Sequence, residues 1–304
     1  MIIVNWNAGD LLRTCVESIV EHANGLVGQI IVIDNGSTDG SEIEVEGLSN
    51  VLLVRMSANL GFGKACNIGA QEARSEYVLF LNPDAAIFSD TLPKVVTCMQ
   101  DPLNAEVGIC GVQLIDQIGR VSRSCSRFPT SAGFMVHALG LARILPNLAH
   151  RMTEWDHAHT RQVNQVIGAF FLVRRALFES LNGFDERFFV YFEEVDFSYR
   201  ARKIGWRSLY LADAQAFHLG GGTSNQVKTR RLFYSLRSRL LYAFKHFSWM
   251  NSVVVLATTL LLEPCSRSML ALKQRSWQGL RETWAAFGLL WRWLPLWVFK
   301  GQSH

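Results

Sequence analysis

The fold is decided by the stretch QIIVIDNGSTDGS at residues 29–41, in which a run of apolar residues gives way abruptly to polar turn formers. The run is short and apolar on both faces, which is typical of a strand buried inside a parallel sheet. Asp34 stands at its end, and the residues that follow suit a turn and a helix cap. The stretch therefore predicts a buried strand that delivers a carboxylate to a sheet edge.

The same alternation of strand, turn and helix recurs on both sides of this stretch. Apolar strands are predicted at residues 2–6, 51–56 and 77–85, and helical spacing is found at residues 63–73. This alternation predicts a mostly parallel central sheet flanked by helices. Ligands of such sheets bind at the carboxyl ends of the strands, so the residues at the strand ends are the candidates for a functional site.

Two of the predicted strands lead into segments that suit a nucleotide. Asp34 can accept a hydrogen bond from a ribose hydroxyl or a base N–H group, with a plain turn as the alternative. In NLGFGKACNIGA, residues 59–70, Gly61 and Gly63 permit close approach of an anion to a helix start. Cys66 replaces the third glycine of a dinucleotide-binding fingerprint, so this segment does not predict that class of site.

The strand at residues 77–85 contains LNPDA near its end, where Asn82 and Asp84 offer oxygen ligands. Mg²⁺ and Mn²⁺ prefer hard oxygen donors, and they commonly bind diphosphates. Because one amide and one carboxylate are a sparse set, the cation would need phosphate oxygens and another protein ligand. His218, which precedes a glycine-rich segment, is a candidate for that ligand, with a purely structural histidine as the alternative.

An acidic cluster lies in the aromatic stretch FFVYFEEVDFSYR, residues 188–200. Burying Glu193, Glu194 and Asp196 among aromatic rings would be unfavourable unless the carboxylates are paired or used. The two adjacent glutamates cannot share one face of a strand, so we expect one to face a site and the other to cap the following helix. Asp196 and Arg200 are four residues apart and are predicted to pair on that helix. The alternative is that all three carboxylates only cap the helix.

The charge is divided unevenly along the chain. Residues 227–304 contain 12 of the 30 basic residues and two of the 26 acidic residues, so this tail carries about +10 and residues 1–226 about −6. An uncharged run at residues 247–262 is shorter than a membrane-spanning helix requires, and a second apolar stretch at residues 283–299 is rich in tryptophan. Tryptophan and basic residues favour an anionic membrane surface over nucleic acid as the partner. A helical pair that packs on the rest of the protein and a true span at residues 247–262 remain alternatives.

The tail also contains a basic amphipathic helix, predicted at residues 235–247. This helix would place Arg237, Arg239 and Lys245 near lipid or a lipid diphosphate. The six cysteines show no paired spacing, and the chain opens on a strand-like segment. These features favour a reducing cytoplasm.

A series of motifs follows in unbroken order along residues 1–245: IIVNWN, DNGSTDGS, NLGFGKACNIGA, FLNPDA, VIGAFFLVRR, GFDERFFVYFEEVDFSYRARKIGW and FHLGGG. This order resembles that of family 2 glycosyltransferases, and within them the branch of rhamnosyltransferases. The resemblance implies a GT-A fold in residues 1–226, with a nucleotide-sugar half at about 1–110 and an acceptor half at about 111–226. Residues 227–304 are then a C-terminal helical membrane-associating tail.

The resemblance also implies roles for individual residues. Glu194 falls on the position of the catalytic base, where aspartate is usual, with Asp196 as the alternative base and Glu193 beside them. Asp84 and His218 would hold the metal ion, Mg²⁺ or Mn²⁺. Asn82 occupies the first position of an Asp-x-Asp motif, so direct ligation by residue 82 is in doubt. The donor-binding residues are expected to be Asn5, Asp34, Asn35, Asn59, Gly61, Asn67 and Asn82.

The activity implied is a metal-dependent inverting transfer of L-rhamnose from dTDP-rhamnose to a bacterial surface glycan. The acceptor is expected to be linked to polyprenyl diphosphate, and the protein to lie at the cytoplasmic face of the inner membrane, held peripherally or by shallow insertion of its tail. Two alternatives stay open: another donor such as a UDP-hexose, and a non-catalytic scaffold of a glycan-assembly complex. No nucleic-acid partner is expected.

Overall fold

The computed structural model describes residues 1–23, 25–48, 50–221 and 227–301. The chain divides into two compact units. The first comprises Met1–Ser126, Trp155–Glu186 and Glu193–Thr223, and the second comprises Arg127–Glu154, Arg187–Phe192 and Ser224–His304. The domain boundary expected at residue 226 and the end of the glycine-rich segment, residues 222–224, lie outside the described residues, so that boundary stays a prediction.

The strands are β1 (Ile2–Asn5), β2 (Ile30–Asp34), β3 (Val51–Arg55), β4 (Tyr77–Leu81), β5 (Ala85–Ile87), β6 (Val107–Ile115), β7 (Cys125–Ser126), β8 (Arg161–Val163), β9 (Gln165–Val166), β10 (Phe170–Arg174) and β11 (Arg207–His218). The helices are α1 (Asp10–His22), α2 (Phe62–Gln71), α3 (Thr91–Gln100), α4 (Ser131–Ala138), α5 (Arg175–Ser180), α6 (Glu193–Lys203), α7 (Lys228–His246), α8 (Trp249–Ala257), α9 (Glu263–Lys273) and α10 (Trp277–Lys300). All the strands belong to the first unit.

The central sheet has the strand order β3-β2-β1-β4-β10-β6-β11-β5, and β8 pairs with β11. Strands β3, β2, β1 and β4 are parallel to one another, as are β6 and β11. Strand β10 runs antiparallel between β4 and β6, and β5 runs antiparallel to β11. The predicted GT-A architecture, a mostly parallel sheet flanked by helices, is therefore confirmed, and its antiparallel strand β10 joins the two parallel groups.

The core of the first unit is built from the near-continuous apolar strands. Every residue of β1 and β2 is buried, as are four of the five residues of β4 and β10. Helix α2 packs closely on this layer, because a Cβ atom added at Gly69 would lie 2.7 Å from Cγ2 of Ile2. A larger residue at this position would therefore separate the helix from β1 and move the α2 residues that belong to the candidate site.

The second unit is helical. Helix α7 packs on α10 and α8, and α4 packs on α8. Arg239 of α7 and Arg267 of α9 both pair with the buried Glu263, with an Arg267 Nη2–Glu263 Oε1 distance of 2.8 Å. Because a buried carboxylate needs such partners, this triad holds α7 and α9 together. Arg239, expected near lipid, is instead buried in this ion-paired cluster.

The helix that contains most of the apolar run at residues 247–262 continues past the charged residue Glu263. Helix α8, a π-helical turn at Thr258–Leu262 and α9 follow without a break and form a 25-residue helix, Trp249–Lys273, whose most apolar 18-residue window has a mean hydropathy of 1.4. By length and composition alone this helix is long enough to cross a membrane. The estimate from residues 247–262 was too short because Glu263 is neutralised by its two arginine partners and does not stop the helix.

Candidate functional site

The ends of β1 and β2 lie side by side and carry the first two predicted site residues. Asn5 and Asp34 are register partners in the parallel pairing of these strands. Asn5 Nδ2 donates to Asp34 Oδ1 at 2.9 Å and to the hydroxyls of Ser37 and Ser41 at 3.1 and 2.8 Å. The backbone N–H of Ser37 donates to Asp34 Oδ2 at 3.2 Å. Asn5 is fully buried, and its hydrogen bond fixes the orientation of the Asp34 carboxylate.

Asn35 joins the turn after β2 to the turn after β3. Its Nδ2 donates to Asn59 Oδ1 at 3.1 Å and to the Gly61 carbonyl at 3.2 Å, and Gly61 N–H donates to Asn59 Oδ1 at 2.9 Å. Gly36, with φ of 75°, allows the two turns to touch, because a Cβ atom there would lie 2.8 Å from the Ala58 carbonyl carbon. These contacts hold the N-terminus of α2 near the turn that follows Asp34. The free N–H groups of a helix N-terminus can bind an anion, so this arrangement suits an anion-binding site.

Asn67 lies one turn further along α2 and is held by a distant loop. Its Nδ2 donates to the Phe184 carbonyl, and the Phe184 N–H donates to its Oδ1, both at 2.9 Å. Nδ2 also lies 3.1 Å from Glu186 Oε1. The side-chain amide is thus engaged in positioning the loop, and sequence reasoning missed this pairing because the partners are 117 residues apart.

Asp84 and His218 are brought together by the sheet. The turn after β4 is closed by hydrogen bonds from Asn82 N–H to the Ala169 carbonyl at 3.0 Å and from Ala85 N–H to the Asn82 carbonyl at 3.1 Å. Ala85 then pairs with His218 across β5 and β11. As a result, His218 Nε2 lies 3.3 Å from Asp84 Oδ1, with 12% and 9% of the two side chains exposed.

Asp84 and His218 suit a divalent cation whose remaining ligands come from the substrate. Among the described residues, no group of three or more His, Cys, Asp or Glu side chains is placed to hold a metal ion. Asp84 and His218 offer one carboxylate oxygen and one imidazole nitrogen. Mg²⁺ and Mn²⁺ sites of this kind take their remaining ligands from water and from substrate phosphates. The donor set therefore suits a cation that arrives with a diphosphate.

The acidic cluster forms the first turn of α6. Both Glu193 and Glu194 lie inside the helix, so the expectation that one of them caps it from the preceding position is wrong, while the expectation that one of them faces a site stays a prediction. The helix begins here because Tyr191 and Phe192 both take the left-handed backbone region, with φ of 69° and 72°. Such conformations cost about 1–3 kcal/mol per residue, and they concentrate at functional sites. The backbone dipole of the helix N-terminus favours acidic side chains in this turn.

Glu193 is buried and Glu194 is half-buried, and neither carboxyl group is fully compensated. Glu193 is 5% exposed, and one carboxylate oxygen of each glutamate is buried without a hydrogen-bond partner among the described residues. Burial raises the pKa of Glu193 well above its usual range, and the neighbouring Glu194 charge raises it further. Burial also raises the pKa of Glu194 to about 7, although hydrogen bonds from the backbone N–H groups of Glu194 and Val195 oppose this rise. Burial therefore favours the neutral form of both carboxyl groups.

Asp196 is engaged differently from the two glutamates. The predicted pair with Arg200 is present, with Arg200 Nε 2.7 Å from Asp196 Oδ2, and Asp196 is fully buried. Arg200 also donates to the carbonyls of Leu181 and Gly183 at 2.7 and 2.8 Å. Asp196 therefore anchors the arginine that holds the same loop as Asn67.

Helices α2 and α6 hold the same loop of the first unit. Asn67 on α2 pairs with the backbone of Phe184, and Arg200 on α6 donates to the carbonyls of Leu181 and Gly183. Burial raises the pKa of the Cys66 thiol on α2, and the Glu193 carboxylate raises it further. The nucleotide-side residues and the acidic pair thus belong to one folded unit.

Comparisons with known proteins agree with this architecture. The sequence profile described as glycosyl transferase family 2 matches residues 1–181. The N-acetylglucosaminyl-diphospho-decaprenol L-rhamnosyltransferase of Mycobacterium tuberculosis is 29% identical over 239 residues, which cover 72% of this chain and 76% of that protein. Rhamnosyltransferase WbbL of Escherichia coli K12 is 27% identical over 191 residues, covering 60% of this chain and 69% of WbbL.

Among solved structures, the mannosyltransferase PcManGT from Pyrobaculum calidifontis in complex with GDP-Man and Mn²⁺ superposes with a TM-score of 0.55. The match covers 99% of this chain and 80% of that one. Because the identity is 18%, this similarity is evidence for the fold alone. The profile match spans more than half of the chain and includes the strand ends that carry Asn5, Asp34 and Asp84. The chain therefore belongs to glycosyltransferase family 2.

Proposed function

We propose that this glycosyltransferase moves L-rhamnose from dTDP-rhamnose to a lipid-linked bacterial surface glycan, with inversion at the anomeric carbon and with a divalent cation. The observation that carries the proposal is the contact between Asp84 and His218 at the sheet edge, in the same unit as the Glu193–Glu194 pair. The names of two relatives, which describe rhamnosyltransferases, support the sugar, and one of these names describes a diphospho-decaprenol acceptor.

Binding of the donor is assigned to the strand ends. Asp34, oriented by Asn5, accepts hydrogen bonds from the nucleoside. The network of Asn35, Asn59 and Gly61 shapes the approach to α2. Asp84 and His218 hold the cation, with Asn82 in the same turn. A bound cation would neutralise the charge that develops on the departing diphosphate.

Glu194 is the proposed base. An inverting transfer is a single displacement in which the acceptor oxygen attacks the anomeric carbon while the bond to the nucleoside diphosphate breaks. Glu194 accepts the proton of the acceptor hydroxyl, and dTDP leaves with the bonding electrons. A base is most effective when its pKa lies near the working pH, as burial achieves for Glu194.

The neighbouring acids have supporting roles. Glu193 lies beside Glu194 at the start of α6, where burial and the Glu194 charge both raise the pKa of Glu193. Asp196 is the less suitable base because its carboxylate is paired with Arg200 inside the core. Aromatic neighbours of α6 exclude water from the donor, which would otherwise be hydrolysed.

Association with the membrane is assigned to the second unit. Trp249, Met250 and Trp277 are 72%, 76% and 72% exposed, and the long apolar helix begins at Trp249 and ends at Lys273, shortly before Trp277. Exposed tryptophans beside basic residues suit the headgroup layer of an anionic membrane. We place the protein at the cytoplasmic face of the inner membrane, where a lipid-linked acceptor is presented.

The test is a donor competition with the full-length protein. The protein is incubated with Mn²⁺, a polyprenyl diphosphate-linked N-acetylglucosamine acceptor and an equimolar mixture of dTDP-L-rhamnose, UDP-glucose and UDP-galactose. Mass spectrometry of the lipid product is expected to show addition of a deoxyhexose, and NMR of the product to show the inverted anomeric configuration. Addition of a hexose, or retention of configuration, would contradict the proposal.

A further inference from the structure

Arg237 on α7 is a buried cation with unused hydrogen-bond donors. It is 3% exposed, and its Nε and Nη2 atoms are buried without a hydrogen-bond partner among the described residues. Arg239, two residues further along the helix, has Glu263 as its partner. Two arginines of one predicted basic helix are therefore in different situations, and only the charge of Arg239 is explained by the packing of the second unit.

Aromatic rings surround the Arg237 guanidinium. Its Cζ atom lies 5.7 Å from the ring centroid of Phe189, 5.5 Å from that of Phe233 and 5.0 Å from that of Tyr234. Burial lowers the pKa of Arg237 to about 10, opposed by Tyr234, so the group stays charged at neutral pH. Cation–π contacts offset part of the desolvation, but they accept no hydrogen bond from the N–H edge.

The orphaned donors share one edge of the guanidinium. Nε–H and the adjacent Nη2–H point in the same direction, and this pair is the fork that binds two oxygens of a phosphate or carboxylate at once. Among the described residues, no Asp or Glu pairs with this arginine. A buried charge without a partner lowers the free energy of unfolding, so Arg237 destabilises the second unit when no ligand is bound to it.

We propose that Arg237 binds a phosphate of the diphosphate that links the acceptor glycan to its lipid. This assignment rests on the proposed function, in which the acceptor is lipid-linked. It is favoured by the exposed apolar side chains of the same unit, such as Trp249 and Met250, which suit an isoprenoid chain. Phe233 and Tyr234, whose rings lie against the Arg237 guanidinium, are half-buried and so border the solvent.

The binding test uses farnesyl diphosphate as the probe, in buffer with EDTA so that a cation site contributes nothing. Arg237→Met removes the charge at nearly constant volume, Arg237→Lys keeps the charge without the fork, and Arg230→Met removes an exposed arginine of the same helix as the matched control. Calorimetry is expected to show binding that is roughly 10- to 100-fold weaker in both Arg237 variants and unchanged in the control. Equal affinity in wild type and Arg237→Lys would overturn the proposal.

Thermal unfolding separates a binding role from a structural one. Without ligand, Arg237→Met is expected to melt at the same temperature as the wild type or higher, because replacing an unpaired buried charge by an apolar group is neutral or stabilising. Farnesyl diphosphate should raise the melting temperature of the wild type and the control, and that shift should be lost in Arg237→Met. A fall of several degrees in the unliganded variant, with the ligand-induced shift preserved, would overturn the proposal.

Two further arms identify the source of the phosphate. Inorganic pyrophosphate should show the same dependence on Arg237 as the farnesyl probe, and dTDP titrated with Mn²⁺ should bind wild type and Arg237→Met equally. Loss of dTDP affinity in Arg237→Met would assign the site to the donor and overturn this inference. If the wild type transfers sugar but does not bind the farnesyl probe, this inference is overturned and the proposed function is not. If the probe binds in an Arg237-dependent manner but no sugar is transferred, the proposed function is contradicted and the anion site at Arg237 remains.

Discussion

Replacing Glu194 by glutamine is expected to abolish sugar transfer and, at the same time, to stabilise the protein above pH 7. Glutamine keeps the shape of the side chain but can neither accept the acceptor's proton nor ionise. In the wild type, the ionised form of Glu194 is disfavoured by burial at the first turn of α6. The substitution removes that unfavourable charge, together with the repulsion that it exerts on Glu193.

The magnitude follows from the pKa of Glu194, which rises from 4.5 to about 7 on folding. At about 1.4 kcal/mol for each pH unit, this rise corresponds to about 3 kcal/mol. Because the folded state binds the proton more tightly, the contribution of Glu194 to stability is fully present below pH 4.5, falls as the pH rises, and is lost above about 7. We therefore expect the glutamine variant to be more stable than the wild type by no more than about 1 kcal/mol at pH 5, and by about 3 kcal/mol at pH 8.

The assay is urea denaturation at pH 5 and pH 8, paired with transfer from dTDP-rhamnose at saturating donor. The wild-type rate should rise with pH through the region of pH 7, as the base becomes ionised, and the variant should bind dTDP with Mn²⁺ normally while transferring no sugar. Measurable turnover by the variant would refute the role of Glu194 as base. A variant no more stable than the wild type at pH 8 would refute the argument from burial.

Three other results are expected. Alanine at Asp84 or His218 should remove the enhancement of dTDP binding by Mn²⁺ in calorimetry, and a persistent Mn²⁺ effect would place the cation elsewhere. Asp196→Asn should lower the free energy of unfolding by about 3–5 kcal/mol because it leaves the Arg200 guanidinium without its buried partner, and a loss below about 1 kcal/mol in urea denaturation would contradict that role. Serine at both Trp249 and Trp277 should weaken sedimentation with phosphatidylglycerol liposomes, whereas Leu103→Ser, at a position 92% exposed in the first unit, should not; equal sedimentation of all forms would contradict membrane contact through the tail.

The strands of the nucleotide-binding side could be predicted to within a few residues. Strands β2 and β3 lie inside the predicted ranges 29–35 and 51–56, because an apolar run followed by turn residues has few other ways to fold. The predicted strand at 77–85 is divided by the turn at Asn82, whose carbonyl accepts a hydrogen bond from Ala85 N–H three residues further on. The antiparallel insertion of β10 was not predictable, because a buried apolar strand has the same pattern in either direction.

The candidate site was predictable in its residue types more than in its contacts. The strand ends indicated Asp34 and Asp84, but only the pairing of β5 with β11 brings His218 to Asp84. Asn67 was expected at the donor, whereas its amide is engaged by a loop far along the chain. Arg237 and Arg239 look alike in the sequence, and they differ because Glu263 lies within reach of one of them.

The central claim is that the cation-binding pair and the proton acceptor serve one donor in the first unit. It is tested most directly by a crystal structure of the Glu194→Gln protein with dTDP-rhamnose and Mn²⁺, using anomalous scattering to locate the metal. The account predicts an anomalous peak within bonding distance of Asp84 and His218, with residue 194 facing the anomeric carbon of the sugar. A metal bound away from these two residues, or a sugar that residue 194 cannot reach, would contradict it.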